Sequence, residues 1–279
     1  MVPFWRRVLA TRRYRLAPVA QLSAYPVCGL LILAEDILLD STTSPHQSQI
    51  QPTAMMNHMR CLELFWDFSA KIEDLHTLYL DSVFGYEILY ARLDQQQEQI
   101  ANIIGSHEYA TREFQDTCSI AYSDLGGREV SPVSMSPVMK QGDLRERVRE
   151  NGSNLLLLGN QCIVSAYAYW EEYLRVEIGR ALGVVTPEMV DADEIRGVLN
   201  QFVRNDVWGD ARYLRNSIVH NNGVANEEVK KCRVFRWFSP GQKIELTYER
   251  MRKIFLDFGC FRNEIHALSL PKQVYLLPL

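Results

Sequence analysis

Residues 212–223 have the sequence Arg212-Tyr213-Leu214-Arg215-Asn216-Ser217-Ile218-Val219-His220-Asn221-Asn222-Gly223. This stretch predicts the end of a helix, because Asn and Gly tolerate the left-handed conformation with which many helices stop. It also places an arginine and a histidine about 140° apart around a helix that turns about 100° per residue. Arg215 and His220 therefore flank one edge of the helix, and their side chains could converge only beyond its end.

The chemistry of this pair suits a phosphodiester. A guanidinium holds two phosphate oxygens through its planar fork, and a histidine takes or gives a proton near neutral pH. Spacing alone is weak evidence, because an arginine and a histidine at this separation are common in a chain of this length.

The run from Arg215 to His220 resembles the Arg-x(4–6)-His motif of the HEPN superfamily (higher eukaryotes and prokaryotes nucleotide-binding domains), in which a polar residue follows the arginine. Residues 165–175 resemble the long first helix of those domains, and the resemblance covers roughly residues 150–270. It implies a ribonuclease-type HEPN domain, a metal-independent endoribonuclease that acts as a homodimer with the Arg/His pairs of both protomers in one cleft.

The resemblance also implies a role for each motif residue. His220 would be the general base or acid on the ribose 2′-hydroxyl and the leaving 5′-oxygen. Arg215 would hold the phosphate and stabilise charge in the transition state, and Asn216 would bind the phosphate or fix a side chain. RNA carries its own nucleophile, so no metal or other cofactor is expected. The implied biological role is a toxin or antiviral defence nuclease that is regulated by a partner or antitoxin.

Two other functions are compatible with the same residues. A non-catalytic HEPN scaffold would dimerise and bind nucleotides or partners, with Arg215 paired to a carboxylate and His220 capping its own helix. A helical interaction protein unrelated to HEPN domains is the third alternative.

Composition favours a globular protein with two basic regions, residues 1–34, which carry five Arg and no acid, and residues 200–253. The chain has a net charge of −4, yet residues 200–253 carry eleven Lys/Arg against six Asp/Glu. Such a basic island attracts a phosphate backbone locally, although a solvated charged face is the alternative. The six cysteines show no Cys-x-x-Cys pair, which argues against structural zinc and a disulfide framework. We therefore expect a cytoplasmic protein.

The overall pattern predicts an all-α fold, a HEPN-like helical bundle with a small β-hairpin, preceded by a helical-hairpin or coiled-coil-like region. The predicted divisions are a poorly ordered extension (1–54), with a natural start at Met55 or Met56, a helical arm (55–121), a linker (122–142) and the HEPN-like domain (143–279). The apolar run at 27–33 is too short to span a membrane.

Local signals place the elements. Apolar residues from Cys61 to Tyr79, spaced 4-3-4-3-4, predict a helix that is either a partner-binding arm or ordinary core, with a possible break at Gly85. Helices are predicted over 153–182, after Thr186, from a cap at Asp206, and at the C-terminal end of the chain. A β-hairpin is predicted from 233–238 and 243–248.

Overall fold

The computed structural model describes residues 50–105, 107–121 and 138–269, with side chains for 59–105, 107–121 and 138–266. Its α-helices are α1 (Ile50–Ile104), α2 (Arg112–Thr117), α3 (Gln141–Val148), α4 (Ser153–Tyr169), α5 (Arg175–Ala181), α6 (Ala192–Phe202), α7 (Asp206–His220) and α8 (Tyr248–Ser269). Two short strands, β1 (Ser119–Ala121) and β2 (Val138–Lys140), pair antiparallel. The predicted all-α fold with a small β-hairpin is confirmed.

The long helix α1 supplies one wall of the main core. Its buried side chains, among them Leu64, Phe68 and Tyr79, pack with side chains of α4, α7 and α8. The Phe68 ring lies edge-on to Phe261, with ring centroids 5.5 Å apart. The seam predicted from Cys61 to Tyr79 is therefore core shared with the C-terminal half of the chain.

No break occurs at Gly85, and α1 is a single helix of 55 residues. A Cβ added at Gly85 would meet nothing within 4 Å, so neither crowding nor a turn acts there. An isolated glycine weakens a helix by only about 1 kcal/mol relative to alanine, which the packed residues on either side offset. Of the two forms predicted for this region, a helical hairpin and a coiled-coil-like arm, the hairpin is wrong, because α1 is one uninterrupted helix.

A second, smaller cluster lies farther along α1, where Leu93 packs against Ile120, Leu144 and Val148. Here the predicted linker 122–142 is wrong at its C-terminal end, because residues 138–142 form β2 and the start of α3. The buried Gln141 side chain accepts a hydrogen bond from Gln97 at 2.9 Å, which ties this segment to α1. The rest of the predicted linker, 122–137, lies outside the described residues.

Helices α4 and α5 form one continuous rod through a π-helical turn, Trp170–Leu174. The predicted helix 153–182 is thus confirmed, and Gly183, at φ 73°, follows its last turn. In this π-helical segment Trp170 and Leu174 both point into the core, while Tyr173 stays at the surface.

Two predicted helix starts are displaced. Helix α6 begins after Asp191, whose carboxylate accepts the N–H of Glu194 at 3.0 Å, while Thr186 precedes a turn outside the helix. The N-cap of α7 is Asn205 rather than Asp206. The Asn205 side-chain oxygen accepts the N–H of Val207 at 2.8 Å, and its amide nitrogen reaches Glu264, which fixes it in place.

The hairpin predicted at 233–248 is wrong, since strands are absent from that part of the described chain apart from a single bridge between Val224 and Lys243. The reason lies on α7. The buried Asp210 carboxylate accepts the backbone N–H groups of Arg233, Val234 and Phe235 at 2.6–3.0 Å. Those donors cannot then serve a strand ladder, and the chain takes an irregular course that buries Phe235.

The extension predicted at 1–54 lies outside the described residues except for 50–54, which begin α1. In the described ranges no helix has the length and apolarity needed to cross a bilayer.

Acid should weaken the contact between α1 and α8. His76 stacks on Phe255, with ring centroids 4.6 Å apart, and burial lowers the pKa of its imidazole. The folded state therefore disfavours protonation, so this stability is present above the unfolded pKa of about 6.5 and is lost as pH falls below it. We expect the loss of unfolding free energy between pH 7.5 and 5.0 to be smaller in His76→Gln than in wild type, measured by urea denaturation. His107→Gln, an exposed control, should behave like wild type; equal losses in all three proteins would contradict the expectation.

Candidate functional site

The C-terminal end of α7 forms the candidate site, and the helix ends at His220, where the sequence predicts. Asn222 and Gly223 have φ angles of 51° and 76°, both in the left-handed region. The Gly223 N–H donates to the carbonyls of Ser217 and Ile218 at 3.1 and 3.2 Å, which satisfies the last turn. The Ile244 N–H donates in turn to the Gly223 carbonyl at 2.7 Å, so the helix end is held from the far side of the loop.

Arg215 and His220 come into direct contact at this end. Arg215 Nη1 lies 2.7 Å from His220 Nε2. The two side chains, which start about 140° apart around the helix, therefore converge at the end of α7. A guanidinium nitrogen can only donate, so in a hydrogen bond between these two groups Nε2 of His220 is the acceptor. A general base uses the same lone pair, so His220 can take a substrate proton only when this contact opens.

Asn216 fixes the arginine. Its side-chain oxygen accepts from Arg215 Nη1 at 3.2 Å, and its amide nitrogen donates to Glu228 at 3.3 Å. Glu228 belongs to a 3₁₀ turn, Glu227–Lys231, which packs beside α7. Of the two roles considered for Asn216, the structure places it in contact with a side chain, that of Arg215.

The pair is accessible to solvent. His220 is exposed and Arg215 is half-buried. Within the described residues no carboxylate oxygen lies within 4.0 Å of Arg215, so the carboxylate pairing expected for a scaffold is not formed there. Asn221 is the C-cap of the helix and its N–H donates to the Ser217 carbonyl, while the His220 ring contacts Arg215.

The described residues contain no group of three or more His, Cys, Asp or Glu side chains placed to hold a metal ion.

Sequence reasoning missed a pocket of about 560 Å³ farther along the same helix. Its charged lining comes from four segments of the chain: Glu171, Arg175, Arg204, Asp206, Asp210, Arg212, Lys231 and Arg233. Arg212 lies one helical turn before Arg215, so the pocket and the Arg/His pair are neighbours on the surface of α7. The basic composition of 200–253 is the signal that could have indicated it, although composition does not show which side chains converge.

Comparisons of the chain with protein-family models, with curated proteins and with solved structures found no match.

Proposed function

We propose that this protein is a metal-independent endoribonuclease of the HEPN type. The observation that supports the proposal most strongly is the 2.7 Å contact between Nη1 of Arg215 and Nε2 of the exposed His220. It joins a phosphate-binding cation and a proton acceptor at one accessible helix end, and these are the two groups that RNA transesterification needs.

In the proposed reaction the ribose 2′-oxygen attacks the adjacent phosphorus while Nε2 of His220 takes its proton. The new bond joins the 2′-oxygen to phosphorus, and the bond from phosphorus to the 5′-oxygen breaks. The leaving oxygen receives a proton from an imidazolium, supplied by the second protomer in the dimer that the family resemblance implies. Arg215 binds the non-bridging oxygens, whose negative charge grows in the transition state. The products are a 2′,3′-cyclic phosphate and a 5′-hydroxyl.

The proposal includes the biological setting that the resemblance implies. The protein would be a cytoplasmic homodimer that acts as a toxin or antiviral defence effector, and a regulatory or antitoxin partner would control its activity.

The full-length protein is expected to cleave total RNA in the presence of EDTA and to spare DNA, because DNA lacks the 2′-hydroxyl nucleophile. Mapping of the fragment ends should give cyclic phosphates at every cut. Chimeric substrates with one 2′-deoxy position at a mapped cut site should be resistant there and nowhere else. Activity that disappears with EDTA, or cleavage of the 2′-deoxy position, would overturn the metal-free transesterification.

A non-catalytic scaffold remains the second candidate function, and one surface favours it. Phe84 and Ile88 lie one turn apart on α1 and are both exposed, and Trp66 is exposed nearer the start of the helix. Adjacent exposed apolar side chains such as Phe84 and Ile88 are candidates for a protein-binding surface. Intact RNA under all conditions, together with a partner lost from pull-downs when Trp66 and Phe84 are changed to serine, would support the scaffold.

A further inference from the structure

The pocket beside α7 carries a surplus of positive charge that its own acids do not neutralise. Five cationic and three acidic side chains line it. Arg175 is paired with Glu171 at 3.1 Å and Arg233 with Asp206 at 3.0 Å. The three remaining cations in the lining are Arg204, Arg212 and Lys231.

Arg204 and Arg212 are the most available of these cations. Both are exposed at the surface, and no carboxylate oxygen of the described residues lies within 4.0 Å of either guanidinium. Lys231 is weakly held, because its ammonium lies 3.6 Å from Glu228. Arg212 donates to the Tyr213 hydroxyl at 3.3 Å and lies over the Tyr213 ring, so its positive charge is not neutralised by an acid. Guanidinium groups without a carboxylate partner are suited to a phosphate, whose oxygens they bind in pairs.

The pocket also offers room beyond the cations. Its volume of about 560 Å³ falls within the range of small-molecule sites. Of the aromatic residues in its lining, Tyr213 is partly exposed, whereas Tyr167, Trp170 and Trp208 are buried. The indole N–H of Trp208 is buried and has no hydrogen-bond partner within the described residues. A bare phosphate would leave most of this space unfilled, whereas a phosphate that carries a nucleoside matches it in size.

A glycine keeps the floor of the pocket open. Gly209 lies inside α7, where glycine weakens a helix by about 1 kcal/mol relative to alanine. Neither crowding nor backbone conformation requires it, since a Cβ added there would meet nothing within 4 Å and its φ is not positive. Gly209 lines the pocket, one turn before Arg212 and Tyr213. The surface of α7 therefore carries no side chain at this point of the pocket.

We propose that this pocket binds a nucleotide unit, with the phosphate on Arg204 and Arg212 and the nucleoside over Gly209. The bound unit is either a free nucleotide or one residue of an RNA strand that runs on to Arg215 and His220. The second source rests on the proposed ribonuclease function, while the first does not.

The test is calorimetric titration of the full-length protein with four probes: the nucleoside 5′-monophosphates, adenosine, inorganic phosphate and a 2′-deoxy oligonucleotide that cannot be cleaved. We expect saturable binding of at least one nucleotide or of the oligonucleotide, and weaker binding of adenosine. In Arg204→Ala/Arg212→Ala the affinity should fall at least about tenfold, as expected for the loss of charge-assisted phosphate contacts. Arg196→Ala, which removes an exposed arginine of α6 paired with Asp193, is the matched control and should bind as wild type does.

Gly209→Leu separates binding from folding. This change should raise helix stability while it blocks the pocket, so the melting temperature should not fall and the affinity should drop in the same variant. Tighter binding of the mononucleotides would identify a free ligand, and tighter binding of the oligonucleotide would identify a strand.

Absence of saturable binding to wild type, or unchanged affinity in the double variant and in Gly209→Leu, would overturn the proposal. Failure of the pocket proposal can be told from failure of the ribonuclease proposal, because Arg215→Ala/His220→Ala should still bind whichever probe, mononucleotide or oligonucleotide, the wild-type pocket binds. Retained nucleotide binding without any RNA cleavage would leave the pocket standing and remove the ribonuclease.

Discussion

His220→Ala should reduce RNA cleavage by about 100- to 10,000-fold, the range typical for loss of a general acid–base group. The His220 ring is exposed and contacts Arg215, so its removal should leave the fold and the free energy of unfolding close to those of wild type. The measurement is the initial rate of cleavage of a defined RNA in EDTA, together with the thermal melting temperature of each protein.

His107→Ala is the control for this experiment, because it also removes an exposed histidine, one that lies beyond the end of α1 and accepts the N–H of Tyr109 at 3.4 Å. Its rate should equal that of wild type. If His220→Ala remains folded and keeps at least half of the wild-type rate, the histidine has no part in proton transfer and the Arg/His pair is not the active site.

Asp210→Ala should cause the largest loss of stability, roughly 3 kcal/mol or more in the free energy of unfolding. The side chain is buried and accepts the backbone N–H groups of Arg233, Val234 and Phe235. Burial raises the pKa of this carboxyl, and the three N–H donors act in the opposite direction by stabilising the anion. Each buried donor left without an acceptor costs about 1–3 kcal/mol. Urea denaturation at neutral pH measures the change.

Asp206→Ala provides the comparison from the same helix. Asp206 lies four residues earlier in α7 and forms an exposed ion pair with Arg233 at 3.0 Å. Such surface pairs contribute about 0–1 kcal/mol, so this variant should lose less than about 1 kcal/mol. Equal losses in both variants would show that the carboxylate at 210 does not hold the segment 233–235.

The helices of the C-terminal half could be predicted because each buries one periodic apolar face. The spacing predicts a buried face of Trp208, Ala211, Leu214 and Ile218 on α7; the first three are buried and Ile218 is half-buried. The Trp208 ring is stacked between Trp170 and Phe258 at centroid distances of 5.0 and 4.5 Å. Local signals also gave the end of α7, since the Asn-Gly pair acts on its own neighbouring residues.

The elements that could not be predicted depend on contacts between distant residues. Residues 233–238 have the aromatic and β-branched composition of a strand, but a carboxylate more than twenty positions earlier binds their N–H groups. Asn205 is the N-cap of α7, and its amide is oriented by Glu264, which lies far along the chain. The same limit applies to the pocket, where Arg175, Arg204 and Lys231 come from separate elements.

The contact between Arg215 and His220 also decides which donors of the guanidinium meet a phosphate. Nη1 of Arg215 lies against Asn216 and His220, so a phosphate that leaves these contacts in place binds through Nε and Nη2. A single phosphate can therefore dock on Arg215 before His220 moves, and the histidine begins proton transfer only after it has parted from Nη1.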